Sequence, residues 1–265
     1  MSSSSPARLP AIFISHGSPM LTLEPDRPAH RFLRGASSLW QKPTAILAVS
    51  AHWETAQPAV GAVAQPDTIH DFYGFPPALY RMQYNAPGAP QLAARIRDLL
   101  SDAGYAAALD TQRGLDHGAW SPLTLIYPQA DIPVLQLSIQ SQRDPAHHLA
   151  LGRALSGLRD EGVLIMATGS LTHNLRLLDR SDREPPADWA AAFADWMAQK
   201  LAQRDDAALL DYRRQAPFAA QNHPTDEHLL PLYVALGAAT PGAPAERIHA
   251  SFAHGALAMD SYSFN

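Results

Sequence analysis

Three histidines stand in the same local setting, each in the loop that follows a short run of apolar residues. His16 follows the run at 11–14, His52 the run at 45–49, and His173 the run at 163–167. Ligands of open α/β sheets bind beyond the carboxyl ends of the strands. If the three runs are parallel strands, histidines far apart in the sequence meet at one edge of the sheet. Neutral imidazoles gathered in this way could hold a transition-metal ion.

Two further histidines could join this group. His117 follows a predicted strand at 105–109 after a longer loop, within the segment Gly114–Gly118. His228 lies beside Asp226 and Glu227, in the first turn of a helix predicted to begin at Thr225. Pro231 is expected to interrupt the hydrogen-bond ladder of that helix and to fix the direction of its first turn.

A single histidine after a strand is more often a hydrogen-bonded loop residue than a ligand. The joint pattern favours a metal site, because burying several imidazoles requires a partner for each ring nitrogen. The role of His223 is left open. The remaining histidines lack this setting and are interpreted as surface or structural residues: His30, His147, His148, His249 and His254.

The order of predicted elements is mainly strand, helix, strand, helix. The predicted strands are 11–14, 45–49, 105–109, 132–139, 163–167, 247–252 and 255–262. The predicted helices are 28–40, 91–103, a short helix capped by Ser121-Pro122, 145–159, 188–203, 205–214 and the helix from Thr225. The stretch 68–90 is expected to be an ordered loop with one short helix.

This order predicts an α/β fold: one catalytic domain over 1–265, with a mixed, mostly parallel sheet covered by helices. The last two strands can form a hairpin, and the metal site is expected at the carboxyl ends of the strands. Residues 1–9 are expected to be a flexible segment.

Composition excludes several classes of function. The net charge is −5 and no run of Lys or Arg occurs, so neither nucleic acid nor a membrane surface is an expected partner. The chain has 12 histidines and no cysteine, which removes disulfides, Fe–S clusters and thiol catalysis. No secretory signal or apolar run of about 20 residues occurs, so the expected location is the cytoplasm. The sequence does not indicate whether the chain forms oligomers.

Phosphate-binding and nucleophile motifs do not occur. The chain has no P-loop, no G-x-G-x-x-G, no G-x-S-x-G and no H-E-x-x-H. Histidine chemistry is therefore the main candidate.

The histidine segments together resemble a known family. They occur in the order found in class III extradiol ring-cleavage dioxygenases of the LigB-like type, with the nearest likeness to the 4,5-DOPA extradiol dioxygenase group. The resemblance extends from about Pro10 to Phe264. The matching segments are Ser15–Met20, Ser50–Trp53, Thr68–Phe72, Gly114–Trp120, His173–Arg176 and Thr225–His228.

The resemblance implies the site residues and the cofactor. The metal ligands of the family fall on His16, His52 and His228. His173 matches either a fourth ligand or an acid/base, and His117 matches a further active-site histidine. The implied cofactor is one non-haem Fe(II), which Zn(II) can replace during purification. The implied partners are a small aromatic diol of the catechol type and O₂.

Aromatic residues near the ligand segments are candidates for the substrate pocket. His70, Phe72, Tyr73 and Trp53 are predicted to line an apolar slot suited to an aromatic ring. Two alternatives stay open. A zinc-dependent hydrolase could use the same three histidines, and a non-enzymatic binding protein could share the fold.

Overall fold

A mixed β-sheet organises the part of the chain that the computed structural model describes, residues 8–179 and 185–265. In these residues the strands are β1 (Ala11–Ser15), β2 (Ala45–Glu54), β3 (Ala59–Gly61), β4 (Ala108–Asp110), β5 (Val134–Ile139), β6 (Val163–Gly169), β7 (Ala245–His249), β8 (Phe252–Ala253), β9 (Leu257–Ala258) and β10 (Ser261–Phe264). The helices are α1 (Pro28–Ala36), α2 (Pro77–Tyr80), α3 (Pro90–Asp102), α4 (His117–Ile126), α5 (Pro145–Leu155), α6 (Asp188–Gln203), α7 (Asp206–Leu210), α8 (Tyr212–Gln215), α9 (Ala219–Asn222) and α10 (Leu230–Ala238).

The centre of the sheet is parallel, which confirms the predicted fold class. The strand order is β4-β3-β5-β2-β6-β1-β10-β7. Strands β5, β2, β6 and β1 run parallel to one another. β10 is antiparallel to β1, and β7 is antiparallel to β10. The predicted carboxyl-terminal hairpin is thus formed by β7 and β10, with the small β8–β9 pair between them.

Alternating side chains of the central strands build a core on each face of the sheet. Phe13, Leu47 and Ile165 belong to one cluster, shared with helices α3, α5, α6 and α10. Their sequence neighbours belong to the other cluster, shared with α1 and α4. Strands buried on both faces are typical of parallel sheets covered by helices.

Helix α10 begins later than the sequence predicts. It starts at Leu230 and not at Thr225, so Pro231 lies in its first turn. A proline there costs no hydrogen bond, because the first amides of a helix have no helical partner. The prediction that Pro231 interrupts the ladder is therefore wrong. His228 lies in the turn before the helix, and every residue of α10 is buried.

Helix α4 begins earlier than the sequence predicts. It starts at His117, and the Asp116 side chain caps it by accepting a hydrogen bond from the Ala119 amide. Ser121 and Pro122 lie inside the helix instead of capping it. The aspartate cap outweighs the proline as a start signal.

Several other bounds differ from the prediction. β2 continues through His52 to Glu54, and β3 was not predicted. α1 ends at Ala36 rather than near Trp40, because Gly35 and the two serines after Ala36 are weak helix formers. The third predicted strand shortens to 108–110. The predicted helix at 145–159 divides into α5 and a 3₁₀ helix, Ser156–Glu161. The one at 205–214 divides into α7 and α8.

The amino-terminal prediction can be compared with the structure only in part. Residues 1–7 of the segment expected to be flexible lie outside the described residues. Leu9, the last residue of that segment, has a buried side chain, and its amide and carbonyl both bond to Arg159. Among the described residues, no helix has the length and apolarity to cross a membrane.

Candidate metal centre

The carboxyl ends of β1, β6 and β2 bring two of the predicted ligands together. His16 directly follows β1, and His52 lies in the last part of β2. Thr168 of β6 lies opposite Ile14 on one side and Ser50 on the other. Because strand side chains alternate between faces, the residues two positions after Ile14 and Ser50 point to the same face of the sheet.

Three histidines converge at this edge. The ring nitrogens of His16, His52 and His228 that could bind a metal all lie within 4.8 Å of one another. Nε2 of His16 lies 3.0 Å from Nε2 of His52. The ring centroid of His228 lies 5.6 Å from that of His16 and 4.9 Å from that of His52. His16 and His228 are buried, and His52 is partly buried.

His228 reaches the cluster because its turn rests on the end of β6. The Ser170 amide donates to the His228 carbonyl at 2.9 Å. A Cβ on Gly169 would lie 2.1 Å from that carbonyl oxygen, so only glycine permits this approach. Asp226, two residues earlier, forms an ion pair with Arg213, and this contact holds the start of the turn.

We expect Gly169→Ala to displace His228 from the other two rings. The added methyl group requires the turn to move, and the mutant should bind a divalent metal about 10- to 100-fold more weakly, the loss typical when a ligand's support is removed. Competition with a chromogenic chelator measures this. Gly35→Ala is the matched control, because a Cβ there meets nothing within 4 Å. Equal metal affinity in the two variants would contradict this account of how His228 is placed.

The second ring nitrogen of two of these histidines is already occupied. Nδ1 of His16 lies 3.1 Å from the Thr168 hydroxyl. Nδ1 of His228 lies 2.8 Å from a carboxylate oxygen of Glu227. Metal-ligating histidines usually donate their other ring N–H to a carboxylate, carbonyl or similar acceptor. Nδ1 of His52 is more loosely supported, 3.7 Å from Asp71.

Electrostatics keep the three rings neutral. Burial, followed by repulsion from the neighbouring histidines, lowers the pKa of His16 and of His228 well below the ordinary value. Burial also lowers the pKa of His52 to about 4. At neutral pH the rings therefore carry lone pairs rather than charges.

These rings fit a divalent cation. Two ligand nitrogens at right angles around an octahedral ion, each about 2.1 Å from it, lie about 3.0 Å apart. The Nε2 atoms of His16 and His52 have this separation, 3.0 Å. Two facing lone pairs at such a distance repel unless a proton or a cation lies between them.

His117 begins α4 beside an aspartate. Its amide donates to Asp71 Oδ1 at 2.9 Å, and its ring Nδ1 lies 3.0 Å from the same oxygen. Burial acts to raise the pKa of Asp71, but hydrogen bonding from the ring and the backbone amide of His117 outweighs it and lowers that pKa to about 2. Asp71 is therefore ionised. The ring of His117 lies 4.0 Å from that of His52, centroid to centroid.

His173 stacks on His228. The two ring centroids lie 3.4 Å apart with the planes at 14°. Nδ1 of His173 lies 3.7 Å from Glu227, and burial lowers its pKa while Glu227 opposes the shift. Its ring nitrogens group with Glu227 and His228, a second set that could hold a metal, and not with His16 and His52.

A cavity of about 600 Å³ opens over the cluster. The two predicted acid/base residues and all three predicted metal ligands line it, together with Phe72 and Tyr73. Phe72 is buried, with its ring 5.7 Å from that of His117. Tyr73 is 92% exposed and lies at the rim.

The other two predicted substrate contacts, Trp53 and His70, do not line this cavity. Trp53 follows His52 in β2 and therefore points away from it, under the Arg113 guanidinium at 5.0 Å. His70 bonds to the Met82 carbonyl at 3.0 Å and packs behind Phe72, with ring centroids 5.8 Å apart.

Sequence reasoning missed part of the cavity wall. His254, interpreted from sequence as surface or structural, lines the cavity, as do Met20, Glu24, Leu175 and Leu178. The carboxylates Asp71 and Glu227 were not identified either. Their signal was present, because each lies close in sequence to a predicted site histidine.

Other histidines have structural roles. His223, left open by the sequence, is fully buried and its Nε2 lies 2.8 Å from the Leu171 carbonyl. His148 is also fully buried and accepts from the Gln140 amide. His30 bonds to the Leu21 carbonyl, and His249 stacks on Phe32. The contacts of His148, His30 and His249 agree with their interpretation from sequence as surface or structural residues.

Comparison with known proteins gives consistent similarities. Residues 10–264 match the family model described as the catalytic LigB subunit of aromatic ring-opening dioxygenase. The chain is 48% identical to a 4,5-DOPA dioxygenase extradiol of Beta vulgaris, over 95% of both chains. It is 42% identical to a protein of the same name from Escherichia coli, over 88% of this chain and 86% of that one. A crystal structure of an uncharacterized Escherichia coli protein superposes with a TM-score of 0.82 and 35% identity, covering 97% of this chain and all of the other.

Proposed function

The chain belongs to the LigB family and is an extradiol ring-cleavage dioxygenase, and we propose that its substrates are a catechol and O₂ and its metal is Fe(II). The observation that carries the proposal is the convergence of three neutral imidazoles at a cavity with an aromatic wall. His16, His52 and His228 would hold the metal. Three protein ligands on one face leave open positions for small molecules.

A ferrous ion bound there supplies the redox chemistry that joins O₂ to the ring. The overall reaction breaks the ring C–C bond beside the diol and places both oxygen atoms of O₂ in a ring-opened semialdehyde. The protein's own part is to bind the diol, to remove its protons and to return a proton to the product.

His117 is placed to accept a proton from a catechol hydroxyl. The ionised Asp71 lies 3.0 Å from its Nδ1, which favours a proton on that nitrogen. Nε2 of His117 is then left with a lone pair to accept the hydroxyl proton. Asp71 would stabilise the imidazolium that results.

His173 is the second candidate for proton transfer. Its ring is neutral at rest, since burial lowers its pKa, and Glu227 lies close enough to favour the charged form once a proton arrives. Stacking against His228 fixes the plane of the ring beside the metal ligands.

The apolar part of the cavity would orient the aromatic ring. Phe72 offers a ring edge or face for stacking. Met20, Leu178 and Leu257 also line the cavity and would exclude water from the reacting atoms. Tyr73 at the rim would contact only the outer end of a substrate.

Membership of the LigB family argues against the two alternatives that the sequence left open, a zinc hydrolase and a non-enzymatic binding protein. A zinc hydrolase would need the same three ligands, but the chain's similarity is to ring-opening dioxygenases over nearly its whole length. A binding protein would not need His117 and His173, each with a carboxylate, beside the metal ligands.

Oxygen uptake tests the proposal. We expect metal-free protein loaded with Fe²⁺ under anaerobic conditions, then mixed with catechols in air, to consume one O₂ per ring opened and to form a yellow product. Monophenols and Zn²⁺-loaded protein are the controls, and neither should consume O₂. If no member of a broad catechol panel causes O₂ uptake while the Zn²⁺ form hydrolyses esters, the hydrolase is the better assignment.

A further inference from the structure

Thr168 stands between the two strands that carry predicted metal ligands. β6 pairs with β1 on one side and β2 on the other, with Thr168 opposite Ile14 and Ser50. The Thr168 side chain is fully buried. Its hydroxyl contacts His16 in one direction and the backbone of α4 in the other.

The two contacts of this hydroxyl differ in length. Oγ1 lies 2.5 Å from the carbonyl oxygen of Gly118 and 3.1 Å from Nδ1 of His16. Two oxygens at 2.5 Å repel each other unless a proton lies between them. A hydroxyl has one proton. Thr168 therefore donates to Gly118, and its oxygen is left to accept from His16.

The Gly118 carbonyl is available to Thr168 because of Pro122. In an α-helix the amide four residues later would bond to this carbonyl, but residue 122 of α4 is a proline and has no N–H. Gly118 also lacks a Cβ, which would lie 2.5 Å from the Ser50 hydroxyl oxygen and 3.2 Å from that of Thr168. The sequence of α4 thus leaves the Gly118 carbonyl free of its helical amide partner and within reach of the Thr168 hydroxyl.

We propose that Thr168 is a positioning residue that fixes the tautomer of His16, keeping its proton on Nδ1 and its lone pair on Nε2. The Nε2 lone pair then faces the Nε2 of His52, 3.0 Å away, where the metal is proposed to bind. The inference rests on the proposed metal site, and it adds an uncharged hydroxyl to the carboxylate that supports His228.

The tautomer of His16 in the wild-type protein gives the first test. Long-range ¹H–¹⁵N correlation spectra of metal-free, ¹⁵N-labelled protein at neutral pH distinguish the two tautomers of each ring. His16→Gln identifies the signals of His16 by their loss. We expect His16 to carry its proton on Nδ1. A proton on Nε2 of His16 would overturn the proposal directly.

Two substitutions at residue 168 give the second test. Thr168→Val keeps the shape but removes the hydroxyl, and it should relax the tautomer of His16 and weaken Zn²⁺ binding by about 10- to 100-fold. Thr168→Ser keeps the hydroxyl and should retain the wild-type tautomer and affinity. A folded Val variant with both properties unchanged would overturn the proposal. If the Val variant does not fold, a Ser variant with the wrong tautomer would have the same effect.

These measurements separate this proposal from the proposed function. The tautomer is read in metal-free protein, and Zn²⁺ affinity requires no turnover. A protein that opens no catechol ring could still show the Nδ1 tautomer and its dependence on Thr168. Conversely, the protein could open catechol rings while Thr168→Val leaves the His16 tautomer and the Zn²⁺ affinity unchanged. That result would support the dioxygenase function and exclude only the role proposed for Thr168.

Discussion

His228→Ala is expected to lose tight metal binding altogether. One of three converging nitrogens disappears, and the remaining rings of His16 and His52 leave a two-ligand site. Removing the hydrogen-bond partner of a metal ligand typically weakens metal binding by about 10- to 100-fold. Removing the ligand itself should weaken metal binding by more than this. We expect the same result for His16→Ala and His52→Ala, since all three nitrogens lie within 4.8 Å of one another.

Metal content after dialysis, measured by atomic emission, tests this expectation. His254→Ala is the matched control, because His254 lines the same cavity but does not belong to the group of three. The control should retain one metal per chain. Retention of a full equivalent of metal by all three alanine variants would exclude these histidines as the ligands.

The sequence predicted the parallel centre of the fold because its signals are local. Apolar runs of strand length, such as 45–49 and 163–167, are buried on both faces of the sheet. The order in which β6 lies between β1 and β2 was not predicted, because connection rules limit the possible topologies without selecting one. The prediction that His16 and His52 would meet needed only that their strands run parallel, because the carboxyl ends of parallel strands lie at one edge of the sheet.

The starts of α10 and α4 could not be predicted from the sequence, because the local signals compete and contacts with distant residues decide between them. Thr225 is a good cap residue, yet Asp226 is held by Arg213 from a different segment, and the helix begins after the turn. Pro122 suggested a helix start, although the Asp116 cap and close packing against Ser50 place it inside one. Tertiary contacts decide these bounds, and no local pattern contains them.

The direction of individual side chains was harder to predict than their location. Phe72 and His70 lie two residues apart in the same loop, but only Phe72 reaches the cavity, because the Met82 carbonyl holds the ring of His70. Trp53 follows a site histidine and still faces away, since neighbours in a strand point to opposite faces. Proximity in sequence to a ligand therefore overstates the chance of a substrate contact.

His173→Ala is expected to separate metal binding from proton transfer. The ring of His173 stacks on His228 but does not belong to the group formed with His16 and His52. The variant should therefore keep its metal. We expect turnover to fall by about 10²- to 10⁴-fold, the range typical of a lost general acid or base.

Metal content and single-turnover rates, measured on the same preparation, distinguish the possible roles of His173. Metal loss as complete as in His16→Ala would make it a ligand. Metal retained with unchanged turnover would remove it from the mechanism and leave His117 as the proton carrier. In that case Asp71→Asn should slow turnover through His117, because the amide can no longer stabilise the imidazolium that the ionised carboxylate supports at 3.0 Å. The pair of variants thus assigns proton transfer to one histidine, to the other or to both.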